Sequence, residues 1–345
     1  MSPPAQLAWV FDYADSEVVR KPPGKGEGFW AGAPGAFHND EDDRLYLTYR
    51  YRRPRGTGPD RGYESRLARS EDGVAFEDLC VLHKEDLASP SIERCALNRA
   101  DDGAWLWFVS SVDGADGRWR VDLLEAATPE AFEGASRTPL FTAASLNEKI
   151  RAGARTTNQV EGVKDPWVIR VGPVWYMLLS YAAAQPAAGP GELHGSADCY
   201  NTGLVRSCSA LATSLDGRTW HWQGDVFHPT RPGAWDAYAT RLSCLLPHSG
   251  GWLGLYDGSA SVEGNYEERA GVALSGDVFT WRTLTPDGPA LVSPHASGSL
   301  RYVDSISDGV ERFYYFEAAR PDGAHELRVA YYPETVEEVG DEEET

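Results

Sequence analysis

The sequence lacks the features of an exported, disulfide-stabilised or membrane-spanning protein. Its 345 residues include only five cysteines, an odd number without any CxxC pair, which is a poor framework for disulfides. The N-terminal residues have no basic start followed by an apolar run. No later stretch approaches the roughly eighteen uninterrupted apolar residues of a membrane-spanning helix. We therefore expect a cytoplasmic protein with buried free thiols.

Positive charge is also scarce. The chain has 52 Asp and Glu against 32 Lys and Arg, which gives a net charge of −20. Such a surface repels nucleic acids and anionic membranes, so we expect neither as a partner. The acidic run at residues 334–345 predicts a disordered tail after a single domain spanning residues 1–333. The oligomeric state is left open by the sequence.

The motifs of several enzyme classes are missing. There is no GxSxG elbow, no phosphate-binding loop and no dinucleotide fingerprint. The eight histidines stand singly, without metal-ligand spacing, so we expect no metal site of the zinc type. No cofactor is expected, although a central cation such as calcium would be compatible with the fold predicted below.

The chain repeats a short motif, Ser-x-Asp followed by an aromatic residue. The three copies occupy residues 70–76, 214–220 and 275–281. Each follows an apolar run and precedes another strand-like run, so the motif predicts a hairpin turn with a positive φ, anchored by its aromatic residue. Its recurrence at about the length of a propeller blade predicts a β-propeller.

The strand-like runs predict an all-β fold, a five-bladed β-propeller with four-stranded antiparallel blades. The first strands of the blades are expected at residues 33–37, 91–97, 164–170, 240–246 and 299–303. The fifth blade has only three runs, so the N-terminal run at residues 7–13 is expected to add its outer strand and close the ring. The site is expected opposite the Ser-x-Asp turns, where the longer loops meet the starts of the first strands.

Carboxylates at the starts of the first strands are the catalytic candidates. Glu93 and Asp165 form the leading pair, because carboxylates that converge on one axis push their pKa values apart and supply one acid and one base. The alternative is that each carboxylate pairs only with its neighbour, Arg94 or Lys164. Asp236 and Glu268 complete the catalytic candidates.

Arginines and aromatic residues near the predicted axis suggest a ligand. The arginine-rich run at residues 50–55 should place at least one guanidinium over the axis, where it could bind carboxylate or phosphate. Salt bridges at the surface, or a contact between subunits, are the alternatives. Aromatic and acidic side chains together suit a sugar or a related metabolite. The candidate substrate-binding residues are Arg52, Lys164, Arg241, Asp257, His295, Arg301, Tyr302 and Glu317.

The blade number, the repeated turns and the segments at 164–166 (KDP) and 294–299 (PHASGS) resemble glycoside hydrolase family 43 and its relatives. The resemblance implies a five-bladed glycosidase with a general base in blade one, a general acid in blade four and a third Asp in blade three. Asp165 matches the third Asp. His295 resembles an axial His that holds a water or a cation.

The chain departs from that family at the other two positions. Ala33 stands where the base is expected, and residues 238–241 (YATR) contain no carboxylate where the acid is expected. Our first hypothesis is a glycosidase-like enzyme that uses paired carboxylates on a small glycoside, neutral or anionic. The alternatives are a biosynthetic enzyme that performs elimination, cyclisation or phosphorolysis in the same funnel, and a carbohydrate-binding pseudoenzyme.

Overall fold

The computed structural model describes residues 11–152, 159–184, 189–229 and 231–334. They form mostly β-structure, in antiparallel strands that follow one another along the chain. Two short helices, α1 (Ala143–Arg151) and α2 (Pro190–His194), interrupt the strands and were not predicted. No helix in the described part of the chain is long and apolar enough to cross a membrane.

The strands fall into five groups of consecutive antiparallel partners, called groups 1 to 5, with β1 (Glu17–Arg20) preceding them. Group 1 is β2 (Trp30–Asn39), β3 (Arg44–Arg53), β4 (Arg61–Ser70) and β5 (Glu77–His83). Group 2 is β6 (Ile92–Arg99), β7 (Trp105–Val112), β8 (Trp119–Ala126) and β9 (Arg137–Phe141). Group 3 is β10 (Val160–Val171), β11 (Val174–Ala184), β12 (Val205–Ser214) and β13 (His221–Phe227). Group 4 is β14 (Ala239–His248), β15 (Gly251–Ser259), β16 (Arg269–Ser275) and β17 (Arg282–Thr283). Group 5 is β18 (Leu300–Ser307), β19 (Glu311–Ala319) and β20 (His325–Pro333). The five predicted first strands overlap β2, β6, β10, β14 and β18.

The groups contact one another through their first strands. Strand β2 contacts β6, β6 contacts β10, β10 contacts β14, β14 contacts β18, and β18 contacts β2. Three of the junctions between groups also contain a parallel bridge, which pairs Trp30 with His325, Ser207 with Ala239 and Arg269 with Leu300. The starts of the five first strands are therefore brought close to one another.

The N-terminal strand that pairs with group 5 is displaced from its predicted position. Strand β1 pairs antiparallel with β20, whereas the prediction placed this strand at residues 7–13. Residues 7–10 lie outside the described part of the chain. The next residues do not form a strand, because Phe11 stacks on Phe316 at 4.6 Å and Asp12 accepts the backbone N–H of Ala14 at the start of a 3₁₀ turn. Of the predicted acidic tail, only Glu334 is described.

The Ser-x-Asp turns have the predicted role. In the second copy, Ser214 Oγ accepts the backbone N–H groups of Asp216 and Gly217 at 3.2 and 3.0 Å. Asp216 Oδ1 accepts the next two backbone N–H groups, and Trp220 donates its indole N–H to the Gly217 carbonyl at 2.9 Å. Gly217 has a φ of 71°, but in the third copy Val278 takes this conformation with a φ of 62°. The side-chain bonds therefore hold the turn even without glycine.

The core lies between the groups and contains the cysteines. Apolar side chains of adjacent groups pack together in several buried clusters. The cysteines are buried and unpaired, as predicted: Cys80, Cys95, Cys199, Cys208 and Cys244.

Each first strand contains an irregularity near its start. The register shifts lie at Gly32/Gly35, Ile92/Cys95, Lys164/Trp167, Leu242/Cys244 and Arg301/Asp304. Three residues at these places have a positive φ, namely Ala33 at 52°, Asp165 at 57° and Tyr302 at 53°. A β-bulge redirects side chains, and strained non-glycine residues cluster at functional sites. The irregularities therefore mark the region to be searched for a site.

One buried ion pair joins all five groups. Arg94, from group 2, donates to the carbonyls of Pro34 and Ser243 at 2.7 and 2.6 Å, and its Nη2 lies 3.0 Å from Asp304 Oδ2. Asp304 also accepts the indole N–H of Trp167 at 2.7 Å. We call this the Arg94–Asp304 pair. Arg94 therefore does not pair with its neighbour Glu93, which was the structural alternative drawn from the sequence.

Candidate functional site

A small cavity lies among the starts of the first strands. Its lining residues are Trp30, Arg50, Glu93, Lys164, Asp198, Tyr200, Arg241, Asn265, Tyr266, Glu268, Arg301 and Tyr302. They come from the starts of first strands, the ends of second strands and the loops between second and third strands, which is the expected region. The volume open to water is about 10 Å³, room for about one water molecule. Side chains therefore fill most of the centre.

Glu93 lies in this cavity and is held by arginines from β3. Arg50 Nε lies 2.7 Å from Glu93 Oε2, and Arg52 Nη1 lies 3.7 Å from Oε1. Burial alone would raise the pKa of Glu93, but the cations Arg50, Lys164 and Arg52 outweigh it and lower this pKa to about 2. Glu93 therefore stays ionised at neutral pH and is unsuited to donating a proton.

The Asp165 side chain has few hydrogen-bond or ion-pair partners. Its backbone N–H donates to Ser110 Oγ at 2.7 Å, and its Oδ2 lies 3.4 Å from Lys164 Nζ. Both carboxylate oxygens are buried and accept no hydrogen bond. The expected contact with Lys164 exists, but it leaves these oxygens unsatisfied. Asp165 does not itself line the cavity, but Lys164 does, and the unsatisfied carboxylate beside it can accept a proton or a hydrogen bond.

The other buried carboxylates near the cavity bind arginines. Arg301 contacts Glu317 at 2.7 Å and Glu268 at 2.6 Å, while Arg241 forms a close ion pair with Glu268. Burial acts to raise the pKa values of Glu268 and Glu317, but the neighbouring cations, with Arg301 prominent for both, lower them below the ordinary range. Both carboxylates therefore remain ionised.

Asp257 behaves differently, although it lies in the same region. Burial raises its pKa to about 7, against the opposing effect of Arg241. Its Oδ1 accepts the backbone N–H of Tyr302 at 2.9 Å, and it is not among the residues that line the cavity. Asp257 therefore fixes the strained backbone of Tyr302, and its carboxyl can hold a proton near neutral pH.

Tyr302 presents its ring to three guanidinium groups. The ring centroid lies 5.0 Å from Arg301 and 5.9 Å from both Arg50 and Arg241. Its hydroxyl lies 3.5 Å from Glu93 Oε2. Burial, with the negative charges of Asp165 and Glu93, raises the pKa of Tyr302 well above its ordinary value. The phenol is therefore a neutral O–H donor.

Two predicted site residues lie apart from this cluster. Asp236 binds Arg231 at 3.1 Å and accepts the hydroxyl of Tyr256 at 2.9 Å. The ring of His295 packs edge-on against Tyr13, with ring centroids 6.0 Å apart. The prediction assumed that both residues lie at the starts of first strands and face the axis. In the structure Asp236 precedes β14 and His295 precedes β18.

A different histidine reaches the charged cluster. His325 at the start of β20 is fully buried, with Nδ1 2.8 Å from Glu317 and Nε2 3.1 Å from Glu267. Burial lowers its pKa, but the hydrogen bonds to Glu267 and Glu317 outweigh this and raise it. Its ring stacks on Trp30 at 4.8 Å. The sequence pattern gave no signal for this placement, because it depends on how β20 meets β2.

Several lining residues were not predicted. Trp30 packs between cations, with Arg52 at 4.4 Å and Arg301 at 4.6 Å from its ring. Arg50 belongs to the predicted arginine run, but only Arg52 was selected from it. The aromatic and acidic composition of the loop that contains Tyr266 indicated a site there, but it did not identify Tyr266 itself. The aromatic residues beside the arginine-rich run were the available signal for these residues.

A segment of the loop between β11 and β12 covers the cavity. Asp198 accepts the indole N–H of Trp119 at 3.1 Å and the hydroxyl of Tyr266 at 2.8 Å. Arg61 donates to the Ala197 carbonyl at 2.9 Å. We call residues 196–201 the cover. It is bonded to the first residues of β4 and β8 and to Tyr266 in the loop between β15 and β16, and its Asp198 and Tyr200 line the cavity.

No group of three or more His, Cys, Asp or Glu side chains within the described ranges is arranged to hold a metal ion. The buried carboxylates of the cluster are instead balanced by arginine, lysine and histidine. A central cation therefore stays an expectation drawn from the sequence.

The fold is that of glycoside hydrolase-like enzymes. No protein-family model matches the chain, and no curated protein sequence does. A solved glycoside hydrolase superposes with a TM-score of 0.63 at 14% identity over 94% of this chain and 93% of its own. The RS223 β-xylosidase gives 0.56 at 12% identity, over 90% and 94%. A β-1,2-mannobiose phosphorylase from Listeria innocua, in complex with β-1,2-mannobiose, gives 0.54 at 16%, over 90% and 92%. At these identities the likeness shows the fold alone.

Proposed function

We propose that this chain is a glycosidase-like enzyme that acts on a small glycoside, neutral or anionic, at the centre of a five-bladed propeller. The ring of contacts among the first strands, and the pairing of β1 with β20, support the blade count and the closure. The fold shared with glycoside hydrolases and with a mannobiose phosphorylase supports a carbohydrate as the substrate class. Fold alone does not determine activity, so the proposal rests on the site.

The observation that carries the proposal is a set of buried polar atoms without hydrogen-bond partners at the centre. In the lining, Trp30 Nε1, Arg50 Nη1 and Arg241 Nε are donors, and Asn265 Oδ1 an acceptor, with neither a hydrogen bond nor an ion pair. Beside the lining, both oxygens of Asp165 accept no hydrogen bond. Buried polar groups are normally satisfied, so these atoms point to a ligand. Sugar hydroxyls both donate and accept, and therefore fit such a mixed set.

Two carboxylates then take different roles. Glycoside hydrolysis passes through a transition state with positive charge on the sugar ring. Asp165, whose oxygens are free, accepts a proton from the attacking water. Glu93, held ionised by Arg50, stabilises the developing positive charge. This division keeps the predicted pair but assigns the proton acceptor to Asp165, because a carboxylate with a pKa of about 2 is a weak base.

A sugar ring needs more space than the cavity offers. With about 10 Å³ open to water, a glycoside enters only when the covering side chains, such as Asp198 and Tyr266, move aside. We therefore expect ligand binding to change the hydrogen exchange of the cover.

A non-hydrolytic reaction is the second candidate. Four cations line the cavity, Arg50, Lys164, Arg241 and Arg301, and arginine binds phosphate bidentately. Phosphate could then replace water as the attacking group, so phosphorolysis requires inorganic phosphate. The same lining would also suit an elimination, a cyclisation or the binding of a sugar without catalysis.

The test is an NMR-monitored incubation with neutral, uronic and phosphorylated glycosides, with and without phosphate. We expect the wild-type protein to cleave a member of the panel and Asp165→Asn to be about 10²- to 10⁴-fold slower. Asp101→Asn is the matched control, because Asp101 is exposed and pairs with Arg170 on the surface, so it should retain wild-type turnover.

Three other results would change the assignment. Turnover that depends on phosphate would replace hydrolysis with phosphorolysis. Saturable sugar binding without product would identify a pseudoenzyme. Equal turnover by Asp165→Asn and the wild-type protein would contradict the role of Asp165.

A further inference from the structure

The proposed hydrolysis needs a proton donor for the leaving oxygen, and the carboxylates that line the cavity do not supply one. Glu93 and Glu268 are held ionised by arginines. Asp198 accepts hydrogen bonds from Trp119 and Tyr266. Asp257 can hold a proton, but its carboxylate is bound to the backbone N–H of Tyr302. The donor must therefore be sought among other groups of the lining.

Three tyrosines line the cavity, and their hydroxyls differ in how they are used. Tyr200 contacts the carbonyls of Gly162 and Ser180, at 3.3 and 3.2 Å. Tyr266 donates to Asp198 at 2.8 Å. The Tyr302 hydroxyl has a longer contact, 3.5 Å to Glu93, whose Oε2 is already bound by an arginine. Tyr302 is therefore the lining phenol that can most readily turn its proton to a ligand.

The backbone places Tyr302 in the same way as Asp165. Both residues lie at the irregularity of a first strand, with φ values of 53° and 57°. Such a conformation is costly for a non-glycine residue and persists where the surroundings enforce it. For Tyr302, Asp257 enforces it by accepting the backbone N–H. The same local conformation thus occurs at Tyr302, which lines the cavity, and at Asp165, whose carboxylate lies 3.4 Å from the lining residue Lys164.

We propose that Tyr302 is a catalytic residue, the proton donor to the leaving oxygen of the glycoside. This inference rests on the proposed function. The bond between the anomeric carbon and the leaving oxygen breaks, its electron pair stays on that oxygen, and the phenolic proton passes to it. Water adds to the anomeric carbon and gives its proton to Asp165. Exchange with solvent then restores the Asp165 carboxylate and the Tyr302 phenol.

The surrounding arginines make this transfer feasible. A phenolate at position 302 would lie near three guanidinium groups, with ring-to-guanidinium distances of 5.0 to 5.9 Å. Fixed charges that face a site of developing negative charge stabilise the transition state without reorganisation. Burial, Asp165 and Glu93 raise the pKa of Tyr302, while Arg241 and Arg301 act to lower it, so these two arginines favour loss of the proton.

The experiment compares two leaving groups on the sugar that the wild-type protein cleaves. A dinitrophenolate departs without a proton, whereas an alkoxide needs one. We expect Tyr302→Phe to lower kcat for the alkyl glycoside by about 10²- to 10⁴-fold and to change kcat for the dinitrophenyl glycoside much less. Tyr266→Phe is the matched control. It removes a lining hydroxyl that binds Asp198, so both kcat values should change by the same factor.

The outcomes separate this inference from the proposed function. Equal losses on both substrates in Tyr302→Phe would overturn the role of Tyr302 and leave the hydrolase intact. Absence of turnover by the wild-type protein would contradict the proposed function, and the inference with it. Should Tyr302→Phe fail to fold, 3-fluorotyrosine at position 302 keeps the hydroxyl and lowers its pKa. A changed ratio of the two kcat values would then support the inference, and an unchanged ratio would overturn it.

Discussion

Two buried charged regions near the axis differ in how their polar atoms are used. In the Arg94–Asp304 pair, the arginine bonds two carbonyls and faces the carboxylate, and the carboxylate also accepts an indole and backbone N–H groups. At the cavity, Arg50 Nη1 and two nitrogens of Arg241 lack hydrogen bonds, as do both oxygens of Asp165, which adjoins the lining residue Lys164. In the Arg94–Asp304 pair only Arg94 Nη2 lacks one, and it lies 3.0 Å from the carboxylate. Burial and charge are common to both regions. The two carboxylates therefore differ most: Asp304 accepts three hydrogen bonds and holds the groups together, whereas the oxygens of Asp165 accept none.

The local backbone does not explain this difference. Arg94 lies in the irregularity of β6, and Asp304 lies in that of β18, next to Tyr302. The same bulges thus send some side chains to the Arg94–Asp304 pair and others to the cavity. The neighbours from other groups decide which charges are satisfied.

The largest effect on stability is expected from breaking the Arg94–Asp304 pair. Arg94→Met leaves Asp304 buried and without its cation, and we expect the free energy of unfolding to fall by about 3–5 kcal/mol, measured by urea denaturation. Arg94→Met combined with Asp304→Asn removes the stranded charge and should recover part of the loss. A single-variant cost below about 1 kcal/mol would show that the pair does not hold the groups together.

Asp165→Asn should not lower the free energy of unfolding measured by urea denaturation. The substitution removes a buried charge whose oxygens accept no hydrogen bond, so we expect an unfolding free energy at or above that of the wild-type protein. A loss as large as that of Arg94→Met would remove the distinction between the two regions and assign Asp165 to the structural framework.

A pH-dependent effect of intermediate size is expected at Asp257. Its folded pKa of about 7 lies above the ordinary value of 3.8, so between these values the folded protein keeps a proton that the unfolded chain has released. The free energy of unfolding therefore falls as the pH rises through this window and levels off above it.

Asp257→Asn should lack this contribution while keeping an acceptor for the Tyr302 N–H. We expect the variant to gain stability relative to the wild-type protein between about pH 4 and pH 7, by a few kcal/mol at most. Thermal denaturation at a series of pH values measures the difference. A constant difference between the two proteins would mean that Asp257 is ionised in the fold.

The smallest effect is expected at the second Ser-x-Asp turn, where Ser214 is buried but Leu215 and Asp216 are exposed. Ser214→Ala removes the acceptor of two backbone N–H groups, and we expect a loss of about 1 kcal/mol. Ser261→Ala is the matched control, because Ser261 precedes a 3₁₀ turn without capping it through its side chain. Equal stability of the two variants would contradict the role of the repeated serine.

Much of the strand order could be predicted from the sequence. The repeated turn made this possible, because Ser214 and Asp216 bond only to residues within three positions of themselves. The helix at Ala143–Arg151 was missed, and the strand that pairs with β20 was placed about ten residues too early. In the second case Phe11 supplied a strand-like apolar signal, but it packs on Phe316, more than 300 positions away.

The candidate site was predicted by region rather than by contact. Of the predicted pair, Glu93 lines the cavity and Asp165 adjoins its lining residue Lys164, but the sequence could not show that Arg50 rather than Arg94 binds Glu93. It selected His295 where His325 contacts the buried carboxylates. The sequence suggested ion pairs between chain neighbours, because adjacent residues are certain to be close. Contacts between different groups depend on the packing of the whole ring.

The β-structure, the repeated turns and the stretches that supply carboxylates, arginines and aromatic residues follow from the amino-acid sequence, because they depend on short-range bonding and composition. Which charges have hydrogen-bond partners depends instead on the packing of distant strands. Arg94 and Asp165 are both charged residues at irregular points of first strands, and nothing local separates them. Their difference arises from the partners that distant strands supply: Pro34, Ser243 and Asp304 contact Arg94, whereas no described strand supplies a hydrogen bond to the carboxylate oxygens of Asp165.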